Sequence, residues 1–434
     1  MSDFDGVDFF TDESLVADPY PYLEYLRESG PVVREPHHGV VAVTGHDEAV
    51  AVYNDTAAFS SCNTVTGPFP GLPVEPAGDD IGALIEQYRD QLPMYEHLVT
   101  FDPPAHTAHR ALLMRLITPK RLKENEAFMW ELADRQLDEL LPTGRCEFIK
   151  EYAQPFAMLV VADLLGVPQA DHELFRERLG AQRPGDIATT DDEWSSSNPL
   201  EFLDTWFSSY VEDRRRAPRD DVLSGLANAT FPDGSTPDVL DVVRIATFLF
   251  AAGQETTARL LSSALQLIAE NPDIQQRLRD ERDLIPNFVE EVLRMESPVK
   301  SDFRMARRTT TLGGVDVAAG TTVMMLNGAA NRDPRRFECP HEFQVDRANA
   351  RQHIAFGHGI HTCPGAPLAR AETRISLERI FDRMADIRIS ESEHGPASAR
   401  HYDYEPTYIL RGLSNLHLVF TPIDDAPEAV GATR

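Results

Sequence analysis

The sequence predicts a mainly α fold: one helical domain with small β-sheets at its edges, enclosing a cofactor. Three observations point there. Helical patterns run with short interruptions from about Pro19 to Phe381, strand-like pieces are few and short, and a glycine-rich loop carrying a cysteine runs straight into a helical pattern. No Gly/Ser or Pro linker divides the chain and no period of about 20 to 50 residues repeats, so residues 1–434 are expected to form a single domain.

From the N-terminus, Pro19 to Gly30 reads as a short helix carrying Tyr22, Leu23, Tyr25 and Leu26. Val32 to Val43 has strand character with a turn at His37 to Gly39, and Thr44 to Asn54 is helical again. The Pro- and Gly-rich stretch Gly67 to Gly78 excludes regular helix. Long helical patterns follow over His106–Leu116, Leu122–Leu141, Pro155–Leu165, Leu200–Arg214, Leu240–Glu270, Pro272–Arg282, Pro286–Glu296 and Ala366–Phe381. Gln182 to Asn198, with Pro184, Gly185, Asp191, Asp192 and a run of serines, reads as a mobile loop inside the same fold. Strand-like pieces fall at Thr310–Val317, Thr322–Leu326 and Leu416–Phe420.

Lys and Arg number 41 against 70 Asp and Glu, a formal charge of -29 that repels nucleic-acid phosphates and anionic membrane surfaces. Met1 to Asp18 carries five Asp and one Glu and lacks the basic-then-apolar order of a signal peptide. The strongest apolar stretch, Ile245 to Gly253, is far shorter than the ~20 residues of a membrane span. A soluble, cytoplasmic protein without nucleic-acid partners is expected. Cys62, Cys146, Cys339 and Cys363 are too widely spaced for a Cys-x-x-Cys site, and a disulfide framework is not expected.

Cys363 stands apart through its neighbours, Phe356-Gly357-His358-Gly359-Ile360-His361-Thr362-Cys363-Pro364-Gly365. Glycines ahead of the cysteine let the backbone approach a flat cofactor where a Cβ would collide. The following helix directs its partially positive end at the sulfur, which favours thiolate over thiol, and Pro364 suits a first helical turn. This chemistry suits a thiolate ligand to haem iron, which donates electron density and favours O–O cleavage.

On these residues the chain resembles the bacterial class I, soluble cytochromes P450 across almost its whole length. The haem-loop pattern Phe-Gly-x-Gly-x-His-x-Cys-x-Gly is matched at every fixed position. Pro364 stands where many relatives have leucine, which removes one N–H near the sulfur and is expected to alter its hydrogen bonding and redox potential. The resemblance implies a cytochrome P450 fold enclosing haem b, with Cys363 as the metal ligand and Phe356, Gly357, Gly365 and Ala252 against the cofactor.

Glu291-Val292-Leu293-Arg294 places a carboxylate and a guanidinium at i and i+3 on one helical face. An isolated Glu-x-x-Arg is a common solvated pair, but about 70 residues before the cysteine it resembles the family's buried structural pair, with Arg347 as third member. In Ala252-Gly253-Gln254-Glu255-Thr256-Thr257, glycine and threonines inside an apolar helix are locally unfavourable and suggest a kink or cavity. Glu255 and Thr256, an adjacent acid and alcohol, match the family's oxygen-activation segment and are expected to relay protons. Glu255 stands where many relatives carry aspartate.

The two haem propionates require cationic donors. His106 and Arg110, spaced i, i+4, together with Arg304 and His361, match the family's contacts. Activating dioxygen takes two electrons, and the chain has neither a Gly-x-Gly-x-x-Gly loop nor iron–sulfur cysteine spacing, so a separate ferredoxin and ferredoxin reductase are implied. Two basic segments suggest the ferredoxin's docking patch: Arg110, Arg115, Lys120, Arg121 and Lys123 in one, Arg347, Arg351, Arg370 and Arg374 in the other. By family register, Phe69, Leu72, Val74, Leu98, Phe248, Leu249, Val299, Phe303, Tyr408 and Ile409 are expected to line the pocket. Their apolar character points to a hydrophobic substrate of terpenoid, steroid or fatty-acid type, hydroxylated by a monomeric monooxygenase. A peroxide-driven haem peroxygenase and a non-catalytic haem ligand sensor are the alternatives, and in both the Glu255–Thr256 pair would be idle.

Overall fold

The computed structural model describes residues 4, 6–115, 117–168, 171 and 201–423, and the expected loop Gln182 to Asn198 lies outside them. The main helices are α1 (Tyr20–Ser29), α2 (His46–Asn54), α3 (Ala105–Met114), α4 (Pro119–Leu140), α5 (Gln154–Leu165), α6 (Glu201–Arg216), α7 (Val239–Glu270), α8 (Pro272–Asp280), α9 (Ile285–Met295) and α10 (Ala366–Arg383). The strands are β1 (Val32–Arg34), β2 (Val41–Val43), β3 (Phe59–Ser60), β4 (Arg145–Glu147), β5 (Asp302–Ala306), β6 (Thr310–Leu312), β7 (Val315–Val317), β8 (Thr322–Met325), β9 (Met384–Ile389) and β10 (His417–Pro422).

The 32 residues of α7 make a rod about 48 Å long that forms the axis of the helical part. It packs against α5, α6 and α10. α5 is apolar on nearly every face, which is why it is buried on nearly every face. Gly253 sets how closely the two axes approach, because a Cβ there would stand 2.9 Å from Val161 Cγ2. That packing accounts for the mid-helix glycine, and α7 stays helical through it.

The strands form a five-stranded sheet in the order β1-β2-β8-β5-β3, a three-stranded sheet β4-β10-β9 and the hairpin β6-β7. β2 and β8 run parallel, Val41 opposite Val323, and the other pairs are antiparallel. The expected strand Thr310–Val317 is split into β6 and β7 by Gly313 and Gly314, both left-handed. β5 delivers Arg304 to the interior, and its neighbour β8 is registered on it through Arg304 opposite Val323. α4 begins three residues before its apolar pattern, where the Thr118 hydroxyl caps it by accepting from the Arg121 amide.

Candidate active site

The chain from Phe356 to Cys363 closes on itself through the Cys363 N–H, which donates to the Phe356 carbonyl at 2.9 Å. Gly357 and Gly359 are both left-handed, with φ of +66° and +69°. A Cβ on Gly359 would lie 2.5 Å from the Tyr53 carbonyl oxygen at the end of α2. These glycines are therefore set by backbone conformation and, at Gly359, by contact with α2. That cause stands beside the expectation that they let the backbone approach a flat cofactor. Pro364 lies in the turn before α10, and it is Pro367 that occupies the first helical turn. Burial pushes the Cys363 thiol above its usual range, opposed by the Gly365 and Ala366 amides and by the charges of Arg110 and Arg370. Cys363 lies deep in the molecule yet keeps accessible surface, and so does Ala252 halfway along α7. Accessible surface at such depth marks an interior cavity.

His106 and Arg110 project from one face of α3, Arg304 from β5 and His361 from the cysteine loop. The rings of His106 and His361 are 4.1 Å apart. Both nitrogens of His106 and Nε2 of His361 are buried without a hydrogen-bond partner. Burial, with Arg110, holds His106 down to about 4; burial, with Arg304, His106 and Arg110, holds His361 down to about 2. Arg110 donates to the Thr362 carbonyl at 2.5 Å, while Arg304 donates to Thr64 Oγ1 at 2.8 Å and pairs with Asp302 at 3.0 Å. Two guanidiniums beside two neutral imidazoles with buried, unpartnered ring nitrogens form a place made for a buried anion.

On α7 the Thr256 hydroxyl donates to the Ala252 carbonyl at 2.9 Å. The Glu255 carboxylate stands 3.6 Å from Arg259 Nη2, and the same guanidinium binds Glu405. Arg259 and Glu405 were not legible as partners in the sequence; the only signal was the i, i+4 spacing of Glu255 and Arg259.

Glu291, Arg294 and Arg347 come together as expected. Glu291 receives Arg294 Nε at 2.7 Å, Arg294 Nη2 at 2.8 Å and Arg347 Nε at 2.9 Å, with the first two residues fully buried. Beside them lies a second cluster that the motif did not announce. Glu290 accepts from Arg370 at 2.7 and 2.9 Å and meets His353 Nε2 at 3.0 Å, and these contacts outweigh its burial to hold it down to about 2. The Arg370 guanidinium lies 4.6 Å above the Phe356 ring, so α9 braces the cysteine loop through this residue.

The residues expected to line the pocket divide. Phe303 is a correction: with 0% exposure it is packed against Phe10 and Tyr408 and offers no surface to a ligand. Tyr408, which donates to the Thr66 carbonyl at 2.8 Å, and Ile409 share that cluster, with Phe69 and Val299 at its border. Leu98 and Leu249 belong to the main core, Phe248 lies 5.8 Å from His97, Leu72 packs on the small cluster around Ile81 and Ile85, and Val74 is half-buried. The basic patch also contracts. Arg110 lies inside beside His106, Arg347 is committed to Glu291, Arg370 to Glu290, and Arg374 to Glu126 and Glu378.

A helical fold with small sheets, a cysteine at a helix start and an anion-seeking cluster beside it are the features of a protein that holds a buried anionic cofactor. The cytochrome P450 family model matches residues 200–385. Cytochrome P450 144 of Mycobacterium tuberculosis is 35% identical over 395 residues, 89% of this chain and 87% of that protein. The cytochrome P450 monooxygenase PikC of Streptomyces venezuelae is 32% identical over 410 residues, 93% and 91% of the two chains. Among solved structures, the substrate-free Mycobacterium marinum cytochrome P450 CYP150A6 superposes with a TM-score of 0.91 at 62% identity, covering 96% of this chain and 99% of that one. CYP109E1 from Bacillus megaterium, solved with testosterone, gives 0.76 at 28% identity, over 93% and 99%. The chain belongs to the cytochrome P450 family, and it is a monooxygenase acting on small molecules. The family implies haem, and the unpartnered ring nitrogens of His106 and His361 beside Arg110 and Arg304 fit its propionates. No helix among the described residues is long and apolar enough to cross a membrane.

Proposed function

We propose that the chain hydroxylates a hydrophobic small molecule of terpenoid, steroid or fatty-acid type, using haem b, dioxygen and electrons from a separate ferredoxin and its reductase. One domain would span residues 1–434 and act as a cytoplasmic monomer. The observation that carries the reading is Cys363: its sulfur receives the amides of Gly365 and Ala366 at the start of α10, in an interior that also holds two guanidiniums and two neutral imidazoles with unpartnered ring nitrogens.

Cys363 would ligate the iron, His106, Arg110, Arg304 and His361 would hold the propionates, and Phe356, Gly357, Gly365 and Ala252 would lie against the macrocycle. Bound there, haem supplies dioxygen reduction and C–H oxidation. Burial alone disfavours the thiolate, the Gly365 and Ala366 amides and the charges of Arg110 and Arg370 favour it, and a metal held at the sulfur would favour it further. The Thr256 hydroxyl is anchored on the Ala252 carbonyl with its lone pairs free to accept, and Glu255, on leaving Arg259, would take up a proton from solvent and pass it to that hydroxyl, while Arg259 keeps Glu405 as counter-ion.

Electrons would enter near the cysteine loop. Arg110 touches Thr362, which brings the end of α3 to that loop, and Met114 and Ile360 are two of the three exposed large apolar residues among the described ones. Exposed Arg115, Lys120, Lys123 and Arg351, with half-buried Arg121, supply positive charge for an acidic ferredoxin. Steroids enter the reading because CYP109E1 is solved with testosterone and with corticosterone.

The reduced protein with CO should give the red-shifted Soret band of thiolate-ligated haem, and Cys363→His should lose the band while retaining haem. A wild-type protein without that band overturns the reading. A peroxide-driven enzyme would turn over without ferredoxin at equal rate.

A further inference from the structure

Lys300 is buried to 6% exposure in the segment that leads into β5. Its backbone is held on the strand-like segment opposite: the Lys300 and Ser301 amides both donate to the Ile409 carbonyl, and the Arg411 amide donates to the Pro298 carbonyl. The Ser301 hydroxyl adds a bond to the Tyr408 carbonyl at 2.7 Å. The Lys300 ammonium itself has neither a carboxylate nor a carbonyl partner among the described residues. Burial and the charges of Arg411 and Arg259 push it down to about 7. A lysine in that setting costs folding energy unless something answers its charge.

The surrounding groups do not answer it. Arg411 is committed to Glu296 at 2.7 Å, to the Val16 and Ala17 carbonyls and to the face of Tyr404. Arg332 also leans on Glu296, at 3.4 Å. Arg259 spends one terminal nitrogen on Glu405 and Glu255, while its Nε and Nη1 are buried without partners. Gly412 presses against the guanidinium, and a Cβ there would fall 2.8 Å from Nη1, so the side chain is held in place. The carboxylates of Glu255, Glu296 and Glu405 are thus taken up by Arg259, Arg332 and Arg411, and none of them pairs with Lys300. Arg259 lies three residues beyond Thr256 on α7, about 4.5 Å along the axis.

We infer that Lys300 and Arg259 form a subsite for the carboxylate of a hydrophobic monocarboxylic acid, the substrate class this enzyme takes. One carboxylate matches the unanswered charge, the Lys300 ammonium and the idle Arg259 donors together. It would sit a helical turn beyond Thr256, with the hydrocarbon extending back along the apolar wall of α7 toward Cys363. A neutral steroid or terpenoid would leave these donors unsatisfied and bind less well. The assignment rests on the monooxygenase reading for what happens to the acid, and only on the cation cluster for its binding.

The test is calorimetric titration of the haem-loaded full-length protein with submicellar saturated fatty acids, octanoate to hexadecanoate, each against its methyl ester. The best acid should bind at least tenfold tighter than its ester, Lys300→Met should bring the two within about twofold, and Lys300→Arg should keep the preference. Equal affinity for acids and esters throughout the series, or a Lys300→Met protein that still prefers the acid tenfold, overturns the subsite. If Lys300→Met does not fold, the wild-type comparison of acid with ester still decides. The CO spectrum of the same samples reports on the haem-thiolate reading separately.

Discussion

At the scale of single residues, titration behaviour follows from whether a buried charge finds a partner. Glu372 on α10 is fully buried, neither carboxyl oxygen has a hydrogen-bond partner, and burial raises it well above the carboxylate range. Folded, it keeps a proton that the unfolded chain releases above about 4.5, so stability falls as pH rises from that value toward the folded one. Glu372→Gln should therefore match the wild type in Tm near pH 4.5 and exceed it increasingly up to pH 8. Parallel Tm profiles across that range would contradict this. Thr256→Ala should leave substrate binding intact, lower product formation by about 10²-fold and let reductant oxidation continue, as expected when proton delivery fails. The ratio of product to reductant consumed measures it. What the sequence exposed at this scale were residues whose types are informative in a row, such as Cys363 among glycines. Arg259 and Glu405 are 146 positions apart, and Glu290 and His353 are 63 apart, so no local pattern announced either meeting.

Among elements, the long helices were readable because most bury one face, α5 excepted, and three or four turns of period repeat that signal. Strands β3 and β4 were not, because β3 has two residues and β4 three, too few for an alternation to register. β5 escaped because its burial runs nearly unbroken from Phe303 to Ala306, with no alternation to read. Packing between elements gives two predictions. Gly253→Ala should crowd Val161 and cost about 1–3 kcal/mol despite the better helix propensity, and Val161→Ala in the same chain should recover most of it; urea midpoints of the four proteins form the cycle. Arg294→Met strands the Glu291 carboxylate with Arg347 alone in a fully buried site and should cost about 3–5 kcal/mol by urea denaturation.

For the whole molecule, a formal charge of -29 makes association with an acidic ferredoxin unfavourable at long range. Docking therefore depends on where positive charge is left uncommitted. Much of the basic sequence around the cysteine is spent internally: Arg347 on Glu291, Arg370 on Glu290, Arg374 on Glu126 and Glu378. That division could not be read from the charge sequence, since a buried and an exposed arginine look alike in it. Of the residues left outside, Lys120 and Arg351 make only long pairs, with Glu124 at 3.6 Å and Glu290 at 3.5 Å, and Arg115, Lys123 and half-buried Arg121 lie beside them. Reversing Arg115 and Arg121 to glutamate should raise the KM for ferredoxin about tenfold at 50 mM salt, with kcat little changed, because steering acts on encounter. The effect should shrink severalfold at 0.5 M salt, where the Debye length drops to about 4 Å. The CO spectrum of the variant should match that of the wild type, since neither residue touches the Cys363 loop or the His106 cluster. A KM that is unchanged at low salt, or one that rises equally at both salt concentrations, would place the donor elsewhere on the surface.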